Sequence, residues 1–143
     1  MTLVATRPTL EGDLVKHEYG RGHGYERVMK TVTTTLADPV GTVYFSDNGA
    51  QPVVITAALM AGYVAAEDTI YLLVDDAPIR EALAAGTNTV ACIEGGAGGS
   101  GALIVSSTAF YVADAAWDNG DTVETDLITT ALANQGIKVV QSI

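Results

Sequence analysis

The sequence is poor in the residue types that bind metals or act as nucleophiles. Its 143 residues include one cysteine, Cys92, and two histidines, His17 and His23. A single cysteine forms no internal disulfide and provides no cysteine cluster for zinc. The candidate metal ligands are the two histidines and the nearby acids Glu18 and Glu26. Three glycines separate them, so their spacing does not fix a coordination geometry. The sequence therefore predicts a chain without a metal or cofactor.

Positive charge is also scarce. The chain has 7 Lys and Arg against 17 Asp and Glu, which gives a formal net charge of -10. Residues 1–30 hold five cations and four acids (+1), whereas the remainder holds two cations and thirteen acids (-11). Nucleic-acid affinity comes mainly from cations that displace counterions, so this acidic body argues against nucleic acid as a partner. The uneven charge indicates that the first thirty residues have a role of their own.

Long apolar segments are missing as well. The longest nearly apolar run, Ala57–Ala66, is about half the length of a membrane span. The start, MTLVATRPTLEGD, has no apolar stretch typical of a secretory signal. We therefore expect a protein without membrane association, made in a cytoplasm. Its length suits one domain.

Short segments rich in β-branched residues dominate what is present. Strands are expected at residues 13–19, 25–36, 41–47, 51–59, 68–76, 88–94, 102–108 and 137–143. Asp47-Asn48-Gly49 is a tight-turn signal and predicts a hairpin between the third and fourth of these. Cys92 falls in one of the strands and is expected to be a buried small side chain. The pattern favours a mainly-β or α+β domain, a small barrel or sandwich, over a doubly wound sheet.

Two segments have the features of short helices. The segment Asp76–Gly86 begins with a capping residue, has Pro78 in its first turn and ends at a glycine. Asp121 and Glu124 form a capping-box pattern before a second helix, which Gly136 is expected to end. The apolar residues of that helix are predicted to share one face: Val123, Leu127, Ala131 and Leu132.

The motifs that suggest chemistry are incomplete. The run Gly95–Gly101 follows a strand, but the Lys-Ser or Lys-Thr pair of a phosphate loop does not follow it. Ser100 only half matches a nucleophile elbow, and the histidines lie far away in the first thirty residues. Asp75 and Asp76 end a strand and begin a helix, so helix capping accounts for at least one of them. No enzyme is predicted.

Three stretches of the chain carry a resemblance. Gly12–Val28 (GDLVKHEYGRGHGYERV) has a Gly-Asp-Leu-Val-Lys start followed by a Glu and then a Glu-Arg pair. Asp38–Gly49 holds Gly-Thr-Val-Tyr before a turn, and Ala131–Val140 holds Ala-Leu-x-x-Gln-Gly-Ile before β-branched residues. In this order they resemble the head decoration proteins of tailed bacteriophages, the lambda-type capsid-stabilising family.

The resemblance implies a non-enzymatic structural protein of the virion. Such proteins form homotrimers at the three-fold and quasi-three-fold positions of the mature head, on the outer surface of the capsid, and clamp neighbouring copies of the major capsid protein. It also implies a small β-clip-like fold with short helices. On this basis residues 1–27 are expected to be an extended N-terminal arm lying across the major capsid protein, and residues 28–143 a single decoration domain.

The expected arm has a physical rationale. An extended segment can add a strand to an exposed sheet edge of another protein. Ordering it costs about 1–2 kcal/mol per residue, so a free arm is expected to be loose until it docks. Three arms in a trimer would act together through avidity. The expected capsid-binding residues are Leu10, Asp13, Leu14, Val15, Lys16, His17, Glu18, Tyr19, Arg21, Tyr25 and Arg27.

One alternative hypothesis belongs to a different class of function. A small acidic β-rich module could recognise glycans or another surface through Trp117 and the glycine-rich run. That hypothesis predicts ligand contacts in the body of the domain and an arm that can be removed without loss of binding.

Overall fold

The computed structural model describes residues 14–17, 27–94, 103–106, 110–112 and 122–140. The described elements, in chain order, are β1 Val15–His17, β2 Arg27–Thr34, β3 Val43–Ser46, β4 Val53–Val54, α1 Ala57–Ala61, β5 Thr69–Leu73, α2 Ala77–Arg80, β6 Gly86–Ile93, β7 Leu103–Ser106, α3 Thr122–Asn134 and β8 Ile137–Val140. The expectations about His23, Gly95–Gly101, Trp117 and Asp121 lie outside the described residues.

Five strands close into a barrel in the order β2-β4-β3-β5-β6. All neighbours in it are antiparallel except β2 and β4. The longest pairing joins β2 to β6, from Arg27 opposite Ile93 to Thr34 opposite Gly86. The remaining strands form a separate sheet in the order β1-β7-β8, in which β1 is antiparallel and β8 parallel to β7. The prediction of a mainly-β fold with few short helices is confirmed.

Alternation along the strands divides the apolar side chains between two cores. The smaller core takes its side chains from inside the barrel: Val32, Tyr44, Tyr71, Leu73, Val90 and Cys92. The larger core joins the opposite faces of β3 and β5 to the three-stranded sheet and α3, and includes Leu14, Val43, Phe45, Ile70, Leu72, Ile93, Val105, Ile128, Leu132 and Ile137. Adjacent residues of β5, such as Tyr71 and Leu72, point into different cores because successive side chains of a strand project to opposite faces.

The hairpin predicted at Asp47-Asn48-Gly49 is confirmed. Asn48 and Gly49 have φ values of 50° and 83°, which glycine and asparagine adopt more readily than other residues. The N–H of Ala50 donates to the carbonyl of Asp47 at 3.0 Å, and β3 and β4 pair in antiparallel register on either side.

The returning strand is much shorter than predicted. Only Val53–Val54 pairs as a strand within the expected segment 51–59, and Ala57–Ala61 forms helix α1 instead. Thr56 ends the extended stretch because its hydroxyl accepts a hydrogen bond from the N–H of Leu59 at 3.1 Å, as an N-cap does.

The helix predicted at Asp76–Gly86 is confirmed only in its first turn. Helix α2 ends at Arg80, and the cap comes from Asp75, whose carboxylate accepts the N–H of Ala77 at 2.9 Å. Gly86 does not end a helix: it begins β6 with φ 133°, a backbone region that favours glycine.

Helix α3 is where the sequence placed it, and Ala131 and Leu132 of its predicted apolar face are buried. The face is turned away from Leu127, which is 43% exposed, and includes Ile128 instead. Gly136, with φ 77°, follows the helix as predicted. The side chain of Val123 lies outside the described residues.

Gln135 ties α3 to the barrel. Its amide pairs with the main chain of Ile70 in β5: Oε1 accepts the Ile70 N–H at 2.7 Å, and Nε2 donates to the Ile70 carbonyl at 2.8 Å. Nε2 also donates to the carbonyl of Glu94, just after β6, at 2.7 Å. The side chain, only 7% exposed, therefore bonds to β5 as a neighbouring strand would.

We predict that Gln135→Leu lowers the free energy of unfolding by about 3 kcal/mol, because it leaves buried main-chain groups of Ile70 without partners. Urea denaturation measures the change. Gln51→Leu is the matched control, since the Gln51 amide bonds to Thr33 and Thr87 on the exposed surface. Equal losses in the two variants would contradict the structural role given to Gln135.

The prediction that Cys92 is a buried small side chain is confirmed. Cys92 is 0% exposed, and burial, assisted by the Asp75 carboxylate, raises the pKa of its thiol to about 12. Burial is also the main cause of the raised pKa of Tyr44, followed by its hydrogen bond to Asp38. Both groups therefore stay protonated in the folded chain at a pH at which they ionise in the unfolded chain. The free energy of unfolding accordingly falls as pH rises through the pKa values that the two groups have in the unfolded chain.

We accordingly predict that the free energy of unfolding falls above about pH 8.5, with about 1.5–2 kcal/mol lost to Cys92 alone by about pH 10. Urea denaturation across this pH range measures the slope. Cys92→Ala is expected to lower the free energy of unfolding at neutral pH but to make it less dependent on pH in this range. An unchanged pH dependence in that variant would refute the role given to the thiol.

Candidate interaction surface

The structure places the middle of the expected arm inside the domain. Leu14 is 0% exposed and belongs to the larger core, and Val15 packs against that core. β1 pairs with β7 of the same chain, with Val15 opposite Val105 and a register irregularity before His17. The expectation of an arm free of the domain is therefore wrong for Leu14–His17. Burying Leu14 stabilises the fold by about 1.5–3 kcal/mol.

Of the other expected arm residues, Lys16 and His17 have their backbones in β1 itself, and Arg27 has its backbone in β2. Leu10, Asp13, Glu18, Tyr19, Arg21 and Tyr25 lie outside the described residues. The anchor thus separates two segments, residues 1–13 before β1 and residues 18–26 between β1 in one sheet and β2 in the other.

The three-stranded sheet has two outer strands, β1 and β8. Within the described part of the chain each of them pairs only with β7, so one edge of each carries main-chain groups without a partner strand. Such edges accept an added strand from another polypeptide. In β8, Lys138 is exposed between apolar neighbours, and a charged residue on an edge discourages unwanted pairing.

A second surface covers the outside of the barrel along β2 and β6. Side chains opposite one another here are Thr31 and Thr89, whose hydroxyls share a hydrogen bond of 2.9 Å, and Thr33 and Thr87. Gln51 bridges the latter pair: its Nε2 donates to Thr33 at 2.8 Å and to Thr87 at 3.3 Å. We call this surface the threonine face, and it comprises Met29, Thr31, Thr33, Val53, Thr87 and Thr89.

Sequence reasoning did not identify the threonine face. The sequence pattern that could have indicated it is the placement of Met29, Thr31 and Thr33 at every second position of β2. Thr87 and Thr89 show the same spacing in β6. Nothing in the sequence shows that these two strands, more than fifty positions apart, lie side by side.

Titratable side chains gather around Tyr71 inside the barrel, without forming an activated pair. The ammonium group of Lys30 lies 5.2 Å from the centre of the Tyr71 ring. Burial, with a smaller contribution from Glu94, raises the pKa of Tyr71. The phenol and the neighbouring Cys92 thiol are both held protonated, which makes them poor nucleophiles at neutral pH.

The paired carboxylates Asp75 and Asp76 have structural partners. Asp75 accepts the N–H of Ala77 and, at 3.4 Å, the N–H of Ala91 in β6. Asp76 forms an exposed ion pair with Arg80 at 2.9 Å. Helix capping and strand support therefore explain Asp75, whereas the side chain of Asp76, expected to cap α2, makes no cap hydrogen bond and pairs with Arg80 instead. Across the described ranges, no group of three or more His, Cys, Asp or Glu side chains is arranged to hold a metal ion.

No helix in the described part of the chain is long and apolar enough to span a membrane. Comparison with protein-family models, with curated proteins and with solved structures finds no match to this chain.

The anchoring of the N-terminal strand leads to a stability prediction. Leu14→Ala is expected to lower the free energy of unfolding by about 3 kcal/mol, because it removes buried methyl groups and leaves a cavity between the two sheets. Leu36→Ala is the control, since Leu36 is 72% exposed; a change within about 0.5 kcal/mol is expected there. Thermal or urea denaturation measures both, and a neutral Leu14→Ala would mean that the strand is free of the domain.

Proposed function

We propose that this chain is a non-enzymatic capsid decoration protein of a tailed bacteriophage. It binds the outer surface of the mature head as a homotrimer at three-fold and quasi-three-fold sites and clamps neighbouring major capsid proteins with its N-terminal segments. The three sequence stretches that resemble the decoration family support this proposal. A small β-barrel domain with short helices is compatible with it.

The observation that carries the proposal is the anchored strand between two segments of the N-terminal region. A segment that grips the capsid can hold the decoration domain there only if the segment is fixed to that domain. Burial of Leu14 and the pairing of β1 with β7 provide such a fixed point. In this refined form of the arm, residues 1–13 and 18–26 make the capsid contacts, and residues 14–17 hold them to the domain.

The proposed contacts do not rely on net charge, since residues 1–13 and residues 18–26 each hold one cation against two acids. Ordering thirteen residues costs about 1–2 kcal/mol for each of them, so weak contacts from a single copy need the avidity of several copies on one head.

We predict that the full chain binds expanded, empty heads assembled from the major capsid protein of the same genome, and binds unexpanded heads much more weakly. Deleting residues 1–12 keeps Leu14 and β1, and is expected to weaken binding at least about tenfold by removing avidity. Co-sedimentation at varied protein concentration measures both affinities.

Two controls make the result interpretable. The melting temperature of the truncated chain is expected to match that of the full chain, because the deletion keeps the buried Leu14 and the pairing of β1 with β7. Ile79→Ala, at a 41% exposed position of α2, is expected to bind heads like the full chain. A full chain that ignores expanded heads would refute the proposed function, and a truncated chain that decorates them normally would refute the clamp.

A further inference from the structure

The threonine face is defined by six described side chains, none of which is ionisable, although the chain carries a net charge of -10. Met29, at one end of it, is 65% exposed, and Leu36, just beyond the end of β2, is 72% exposed; these are the two most exposed large apolar side chains among the described residues. Exposed acids lie elsewhere, at Asp47, Glu67 and Asp76.

The hydroxyl groups of this face are already bonded to one another or to Gln51. The Thr31–Thr89 hydrogen bond and the two bonds from Gln51 run along the surface rather than away from it. A partner that covers the face therefore leaves few polar groups without a hydrogen bond, which is the usual penalty for burying polar surface. The methyl groups of the threonines and the side chain of Met29 are available for apolar contact.

The charge pattern indicates which partner the face suits. A basic partner would gain most from the acidic parts of the surface, because complementary charge speeds association and selects the partner. A partner that is itself acidic is repelled there and approaches most closely where there is no charge. The acidic protein certain to be present at high local concentration is another copy of this chain.

We infer that the threonine face is the surface through which copies of this chain contact one another. The inference deepens the proposed function, on which it rests for the number of copies in the assembly. The face spans five residues of β2, about 16 Å, and three strands, about 10 Å, a footprint much smaller than that of a standard stable interface. Association in solution is therefore expected to be weak, and to strengthen where a head holds several copies together.

The test introduces charge at Met29 and compares it with a matched position off the face. Sedimentation equilibrium of the full chain up to about 1 mM is expected to show concentration-dependent association. Met29→Glu and Met29→Lys are each expected to weaken self-association at least about tenfold, because each places an unpaired charge in a contact that otherwise buries uncharged groups. Val64→Glu and Val64→Lys, at a 47% exposed loop position, are expected to leave it unchanged.

Mixing the two Met29 variants separates a lost contact from a damaged fold. If Met29 lies near its counterpart or near other residues of the same face in the next copy, an equimolar mixture of Met29→Glu and Met29→Lys is expected to associate more strongly than either variant alone. Circular dichroism melts of the variants are expected to match that of the parent chain. Association of Met29→Glu at parent strength, or a parent chain that stays monomeric at about 1 mM, overturns the inference.

The head-binding experiment fails independently of this one. A chain that self-associates through the threonine face but ignores expanded heads would refute the proposed function and leave this inference standing. A chain that decorates heads while its Met29→Glu variant self-associates normally would refute this inference and leave the proposed function standing.

Discussion

The larger core depends on the contact between the barrel and the sheet β1-β7-β8. Gln135 forms hydrogen bonds across that contact. Its amide satisfies the main chain of Ile70 and the carbonyl of Glu94 in a site that is almost fully buried. A buried amide is tolerated only where its donors and acceptor are paired. Because β8 follows Gln135 directly and pairs with β7, which pairs with β1, this bond also helps to position the N-terminal strand.

That linkage connects two of the sequence stretches on which the proposed function rests. The Gln-Gly-Ile stretch near the C-terminus serves a structural purpose: Gln135 bonds to the barrel, Gly136 ends α3 with a positive φ, and Ile137 is buried in the shared core. At the other end, Leu14 fills the same core. The segments proposed to grip a capsid are therefore attached to the most deeply packed part of the molecule.

Sequence patterns predicted those elements whose signals are local. The hairpin at Asn48 and Gly49 follows from residues that tolerate positive φ, and β5 follows from an unbroken run of apolar side chains. Other predictions failed at helix boundaries. The strand expected over residues 51–59 gave way to α1 after Thr56, which caps that helix, and the Asp76–Gly86 helix ended after one turn at Arg80, where Ala82 then takes a φ of 48°.

The sequence by itself determined the class of fold, the acidic charge, the buried state of Cys92 and the positions of most strands, since these depend on composition and on the two-residue period of side chains. Only the tertiary structure decided which side of each element is covered. It placed Leu14 inside rather than on a free arm, turned Ile128 instead of Leu127 towards the core, and brought Thr31 beside Thr89. The physical reason is that periodicity defines faces, whereas pairing between distant strands and the shape of the shared core select the face that is buried.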